Sequence, residues 1–217
     1  MDRHSNWPPE AGELPCAGDY LSPSLEVVAG ISATSIHVVG TSNTLRALAD
    51  QMEIPCHTYS FDTLDDILAS AETIEELYED ADLAQFKESV TGTLDSLSCE
   101  LDGDSLLVMV VIYLEEDGAI TLAGANTFFG DIIEGLGCRL AAPDAGSYPA
   151  VSAEGVLSMR PDRVLILAPG ADPLHIIHVW ESNGLPAAGV SVLTGEYILI
   201  PGARLPLTIR EIGSCLN

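Results

Sequence analysis

The stretch LLVMVVIYL (106–114) constrains this chain more than any other. It is apolar at every second position and also at the positions between, so both faces of the extended segment must be covered. It is too short to cross a bilayer as a helix, which needs about 18 or more apolar residues in a row. A second run of the same kind, RVLILA (163–168), follows. Strands buried on both faces belong to parallel sheets flanked by helices, and that requires α/β architecture. Hydrophobic residues make up 47% of the 217-residue chain and charged residues 19%, enough for one or two packed cores.

Between the strands the periodicity turns helical. SIHVV (35–39) and HTYSF (57–61) read as short strands, with a helix from Thr41 or Ser42 to Met52 between them. Thr63 and Asp66 have capping-box spacing for a helix over 64–77. Residues 74–98 form a long acidic helical region whose carboxylates are a solvated face. Thr127 caps a helix with Phe129, Ile132, Ile133 and Leu136 on one side, and Ser152 caps another. Residues 172–182 and 205–212 read as helices, and 190–194 and 197–200 as extended. The resulting fold class is α/β: two Rossmann-like lobes with parallel sheets. The first lobe covers 1–73, a bridging helix 74–100, and the second lobe 101–217.

Charge narrows the function. The chain has 33 Asp+Glu against 8 Lys+Arg, a formal net charge of −25, and Lys87 is its single lysine. Such a balance excludes nucleic acid and anionic lipid as partners, because both are bound through cationic side chains. Five cysteines are scattered without a C-x-x-C pair, so neither a zinc pattern nor a disulfide framework is expected, and the thiols should be mostly buried. No nucleophile elbow, phosphate loop or other catalytic constellation is visible, so no enzyme and no cofactor are expected. His175 and His178 stand i, i+3 on a helix and read as exposed imidazoles rather than metal ligands.

The order of several segments resembles a known family. WPPEAGELP (7–15) is similar to a Y-P-P-E-A segment, and GDYLSPSLEVV (18–28) to a loop and helix carrying a Glu. TLRALADQMEIPCHTYSFDTLDDILASAETI (44–74), GANTFFGDIIEGLG (124–137), YPAVSAEGVLSMRPDRVLIL (148–167) and PGARLPLTI (201–209) follow in the same order. Together they resemble the substrate-binding proteins of ABC importers for cobalamin, haem or iron-siderophores. In that family two α/β lobes are joined by one long helix.

The resemblance implies a ligand in the cleft between lobes, with Trp7, Tyr20, Asn126, Thr127, Tyr148 and Arg204 against it. For Phe128 and Trp180, core packing is at least as good a reading. It also implies that Glu26 and Glu154, one exposed carboxylate per lobe in the first turn of a short helix, dock on arginines of the permease. The implied location is extracytoplasmic, although MDRHSNWPPE carries no signal peptide, so a cytoplasmic location stays open.

Family members begin with a strand, a helix and a second strand ahead of the Y-P-P-E-A segment. The expectation is therefore a first lobe lacking roughly fifty residues, the length such a unit needs. Its exposed sheet edge and apolar face would be mobile or covered by a second copy. A ligand-free relative acting as an interaction module or dimer is the alternative reading, and an enzyme on an α/β scaffold the third.

Overall fold

The computed structural model describes residues 7–18, 22–78, 82–100, 106–115 and 118–217. The chain divides into two compact units, Met1–Ser60 and Phe61–Asn217.

The first unit is a β-α-β element with a helix before it. After a 3-10 turn at Pro9–Glu13 come α1 (Leu25–Gly30), β1 (Ile36–Val39), α2 (Asn43–Met52) and β2 (Cys56–Tyr59). Strands β1 and β2 pair in parallel, with Ile36 opposite Cys56 and His37 opposite His57. Helix α2 starts where the Ser42 hydroxyl accepts the Leu45 N–H at 3.3 Å. It stops at Glu53, whose φ of 56° is left-handed and turns the chain toward β2. Alternation along each strand sorts the side chains by face. Ile36 and Val38 pack with Val28, Ala49, Leu45 and Leu48. The opposite face carries His37, Val39, His57 and Tyr59. Three of the four side chains on the face expected to be apolar are thus imidazoles or a phenol, and Val39 is its exposed apolar member at 46%.

The second unit is built on a six-stranded mixed sheet ordered β6-β4-β3-β7-β8, with β5 also on β3. Its strands are β3 (Leu107–Leu114), β4 (Ile120–Leu122), β5 (Arg139–Leu140), β6 (Ala150–Val151), β7 (Arg163–Leu167) and β8 (Val190–Leu193). β3 pairs in parallel with β5 and β7, and β7 with β8. β4 is antiparallel to both β3 and β6, so the sheet is not uniformly parallel as expected. The short link from β3 to β4 explains this, since a parallel return needs a crossover of a dozen or more residues.

Both faces of β3 and β7 are covered. Val108, Val110, Leu165 and Leu167 join one core, and Met109, Val111, Val164 and Ile166 the other. The first core includes α3 (Leu64–Leu77), α4 (Ala84–Glu100), α5 (Phe128–Gly135) and α8 (Leu205–Leu216). The second is covered by α6 (Ala153–Met159) and α7 (Pro173–Ser182).

Two sequence expectations change here. The acidic helical region is two helices, not one over 74–98. Tyr78 is extended (φ −130°, ψ 106°) and ends α3. Carboxylates supply the new start: Glu75 accepts the Leu83 N–H at 2.6 Å and Asp82 the Ala84 N–H at 3.2 Å. Lys87 then ties α4 back to α3 through a 2.6 Å bond from Nζ to Glu75. That bond holds the Glu75 carboxyl below its usual range and the Lys87 ammonium above its own. Secondly, 197–200 is not extended. The Ile198 N–H donates to Gly195 O (3.0 Å) and the Ile200 N–H to Tyr197 O (2.9 Å), giving consecutive turns.

Helix α3, counted with the first lobe on sequence, packs within the second unit, where the Leu64 N–H donates to Asp131 Oδ2 of α5 at 2.7 Å. α4 lies on α5 and α8, and glycines admit it: Leu94 sits over Gly135 and Leu97 over Gly213.

Candidate functional site

Three loops of the second unit converge beside the start of α5. A Cβ at Gly124 would stand 2.4 Å from Gly146 O and 3.1 Å from Ser147 O, so glycine is required for the loops after β4 and before β6 to touch. The Gly124 N–H donates to Ser147 O at 2.7 Å and the Leu122 N–H to Pro149 O at 3.0 Å. The third loop enters through the Phe128 N–H, which donates to Asp62 O at 2.5 Å. Asn126 is exposed at the turn, and Tyr148 on the adjoining loop is 48% exposed.

Asp62 was not singled out from sequence, where it reads only as the residue before the Thr63 cap. Partial burial, then the Asp62 charge, pushes the Tyr148 phenol above its ordinary value. Tyr148 therefore keeps its proton at neutral pH and offers a ring face and a hydroxyl. Asp131, also unmarked by sequence, lies behind this junction. Burial raises its carboxyl, Asp65 and Asp66 push the same way, and the Leu64 N–H opposes them.

Thr127, expected against the ligand, is 0% exposed. Its hydroxyl donates to Gly124 O at 2.7 Å and accepts the Gly130 N–H at 3.1 Å. Both bonds serve the α5 cap, so Thr127 holds the loop that presents Asn126 and offers no surface of its own. Tyr20 lies outside the described residues. Phe128 and Trp180 are core at 3% and 1% exposure, and the Trp180 indole N–H donates to Pro186 O at 3.0 Å.

Arg204 stands at the N-terminus of α8, half-buried, with Cζ 5.4 Å above the Tyr197 ring. Burial raises the Tyr197 phenol, the charge of Glu211 adds to the effect, and Arg204 opposes it. Glu211 Oε2 and Thr208 Oγ1 are buried without a hydrogen-bond partner among the described residues. Tyr197 and Glu211 carry no mark in the sequence, because only the turn at 195–200 folds the phenol back onto α8.

Trp7 and Glu26 belong to the first unit, and both are exposed. Glu26 is in the first turn of α1. Glu154 is exposed in the first turn of α6, where Ser152 accepts the Gly155 N–H at 3.2 Å. Among the described residues no group of three or more His, Cys, Asp or Glu side chains could hold a metal. His175 and His178 are exposed on α7. Cys138 is buried, but Cys16 and Cys99 are exposed, against the expectation of mostly buried thiols. No described helix is long and apolar enough to cross a membrane.

No family model and no curated protein matches the chain. Solved structures do. The periplasmic haem-binding protein HutB of Vibrio cholerae is 21% identical, with a TM-score of 0.78 over 99% of this chain and 88% of that one. The periplasmic vitamin B12-binding protein BtuF of Vibrio cholerae is 18% identical, with a TM-score of 0.76 over 99% and 86%. The siderophore-binding protein FhuD from Vibrio cholerae, bound to Fe3+–Desferal, is 17% identical, with a TM-score of 0.77 over 94% and 82%. The chain has the α/β fold of these binding proteins.

Proposed function

We propose that the chain binds an iron- or cobalt-centred ligand (haem, cobalamin or a ferric siderophore) and delivers it to an ABC importer permease outside the cytoplasm. The fold carries the reading: structures of proteins for all three ligand classes match over 94–99% of the chain. Side-chain chemistry supports it. Trp7 and Tyr148 are exposed aromatics that suit the flat face of a macrocycle. Asn126 offers an exposed amide, and Arg204 a guanidinium for anionic oxygens. Tyr20 completes the set on the strength of the family resemblance, while Thr127 shapes the loop behind Asn126. Glu26 and Glu154 are the docking carboxylates of the two units.

Titration with haemin, cyanocobalamin and ferric desferrioxamine tests this, read by visible absorption, tryptophan quenching and melting temperature. One class should give a saturable signal, and Trp7→Ala or Tyr148→Ala should weaken it by about 0.5–1.5 kcal/mol each, the worth of a stacked aromatic. If none of the three changes any readout, ligand delivery is wrong and an interaction module becomes the better account.

A further inference from the structure

On the β1–β2 sheet the parallel register sets His37 directly opposite His57. Their rings stack, with centroids 4.9 Å apart and planes 22° from parallel. Tyr59, two residues beyond His57 on the same face, lies against His37 with ring centroids 5.7 Å apart. Its hydroxyl is 2.7 Å from His37 Nδ1, and Ser35 Oγ is 3.0 Å from Nε2.

We propose that His37 and His57 form a two-imidazole site for a borderline divalent transition ion, Zn2+ or Cu2+, on this sheet face. Imidazole nitrogen is a favoured ligand for both ions. Two Zn–N bonds of about 2.0–2.1 Å at a tetrahedral angle set the ligating nitrogens about 3.3 Å apart. The parallel register sets both rings side by side on one sheet face, where a single ion would be shared between a nitrogen of each.

The second layer is already present. With Nδ1–H donated to Tyr59 Oη, Nε2 is the His37 nitrogen that would face the metal, which would take the place of the Ser35 hydroxyl now 3.0 Å from it. His57 and Tyr59 from β2 and Ser35 ahead of β1 are polar groups that face the His37 ring. The remaining coordination positions are left to water or a small-molecule ligand.

The test is calorimetric titration of Zn2+ into the tag-free full chain, with excess Mg2+ to occupy surface carboxylates. One equivalent should bind. The site should survive His175→Ala/His178→Ala, which removes the exposed imidazole pair on α7. His57→Ala should weaken it by about tenfold or more, and Tyr59→Phe, which keeps both imidazoles, by about tenfold. Cu2+ bound to the wild type should show nitrogen hyperfine structure from two imidazoles. No binding by the wild type, wild-type affinity in His57→Ala with unchanged circular dichroism, or loss of the site in the α7 double variant would overturn the assignment.

Discussion

Gly124→Ala isolates the contact on which the loop cluster depends. The new Cβ would lie 2.4 Å from Gly146 O and 3.1 Å from Ser147 O. A comfortable contact is near 3.5 Å, so the loops must part by about 1 Å. Both obstacles are backbone carbonyls, which cannot swing aside as a long side chain would. Gly124 needs no left-handed φ, so the effect is purely steric.

Overpacking of this kind costs about 1–3 kcal/mol, and parting the loops also endangers the 2.7 Å bond from the Gly124 N–H to Ser147 O, worth about 0.5–1.5 kcal/mol. We expect a loss of about 2–4 kcal/mol. In a unit of this size that lowers the melting temperature by roughly 5–15 °C. Gly92→Ala is the matched control. It makes the same change inside α4, where an added Cβ meets nothing within 4 Å. Replacing a helix-interior glycine should stabilise by about 0.5–1 kcal/mol. Denaturant unfolding of both variants gives the signs directly. A neutral Gly124→Ala, or a destabilising Gly92→Ala, would show that the steric argument is mistaken.

Thr127→Val keeps shape and removes both cap bonds, so chemical denaturation should show a loss of about 1–3 kcal/mol; a change below about 0.5 kcal/mol would deny Thr127 its capping role. Burial, then the charge of His57, lowers the His37 pKa in the fold, so its contribution to stability is present above the ordinary imidazole value, about 6.5, and is lost as pH falls through the lower folded value. Hydrogen-exchange protection factors for β1 and β2 should therefore fall between neutral pH and pH 5, and His37→Gln, which removes the titrating ring, should flatten the change; equal protection at both pH values would contradict it. Glu26→Arg and Glu154→Arg should each stop uptake through a reconstituted importer while ligand affinity stays unchanged, since reversal replaces attraction by repulsion at the docking face. Full uptake in both variants would remove the docking role.

Local rules were enough where one neighbourhood in the chain decides the outcome. Capping chemistry located the starts of α3, α5 and α6 from Thr63, Thr127 and Ser152, because a cap is satisfied by backbone three residues away. Unbroken apolar runs located β3 and β7, because a strand covered on both faces has no polar side to show.

Partnerships across the chain could not be read the same way. The end of α3 and the start of α4 are tied by Glu75 meeting Lys87 and the Leu83 N–H, while helical periodicity in the sequence continues past Tyr78. Thr127 looked like a ligand contact because its residue type suits one; only burial shows its hydroxyl committed to Gly124 and Gly130. The stacking of His37 on His57, like the closure of Tyr197 on Arg204, is a matter of register and turn geometry. Sequence positions the residues along each strand or helix, but the pairing of separate segments decides which side chains meet.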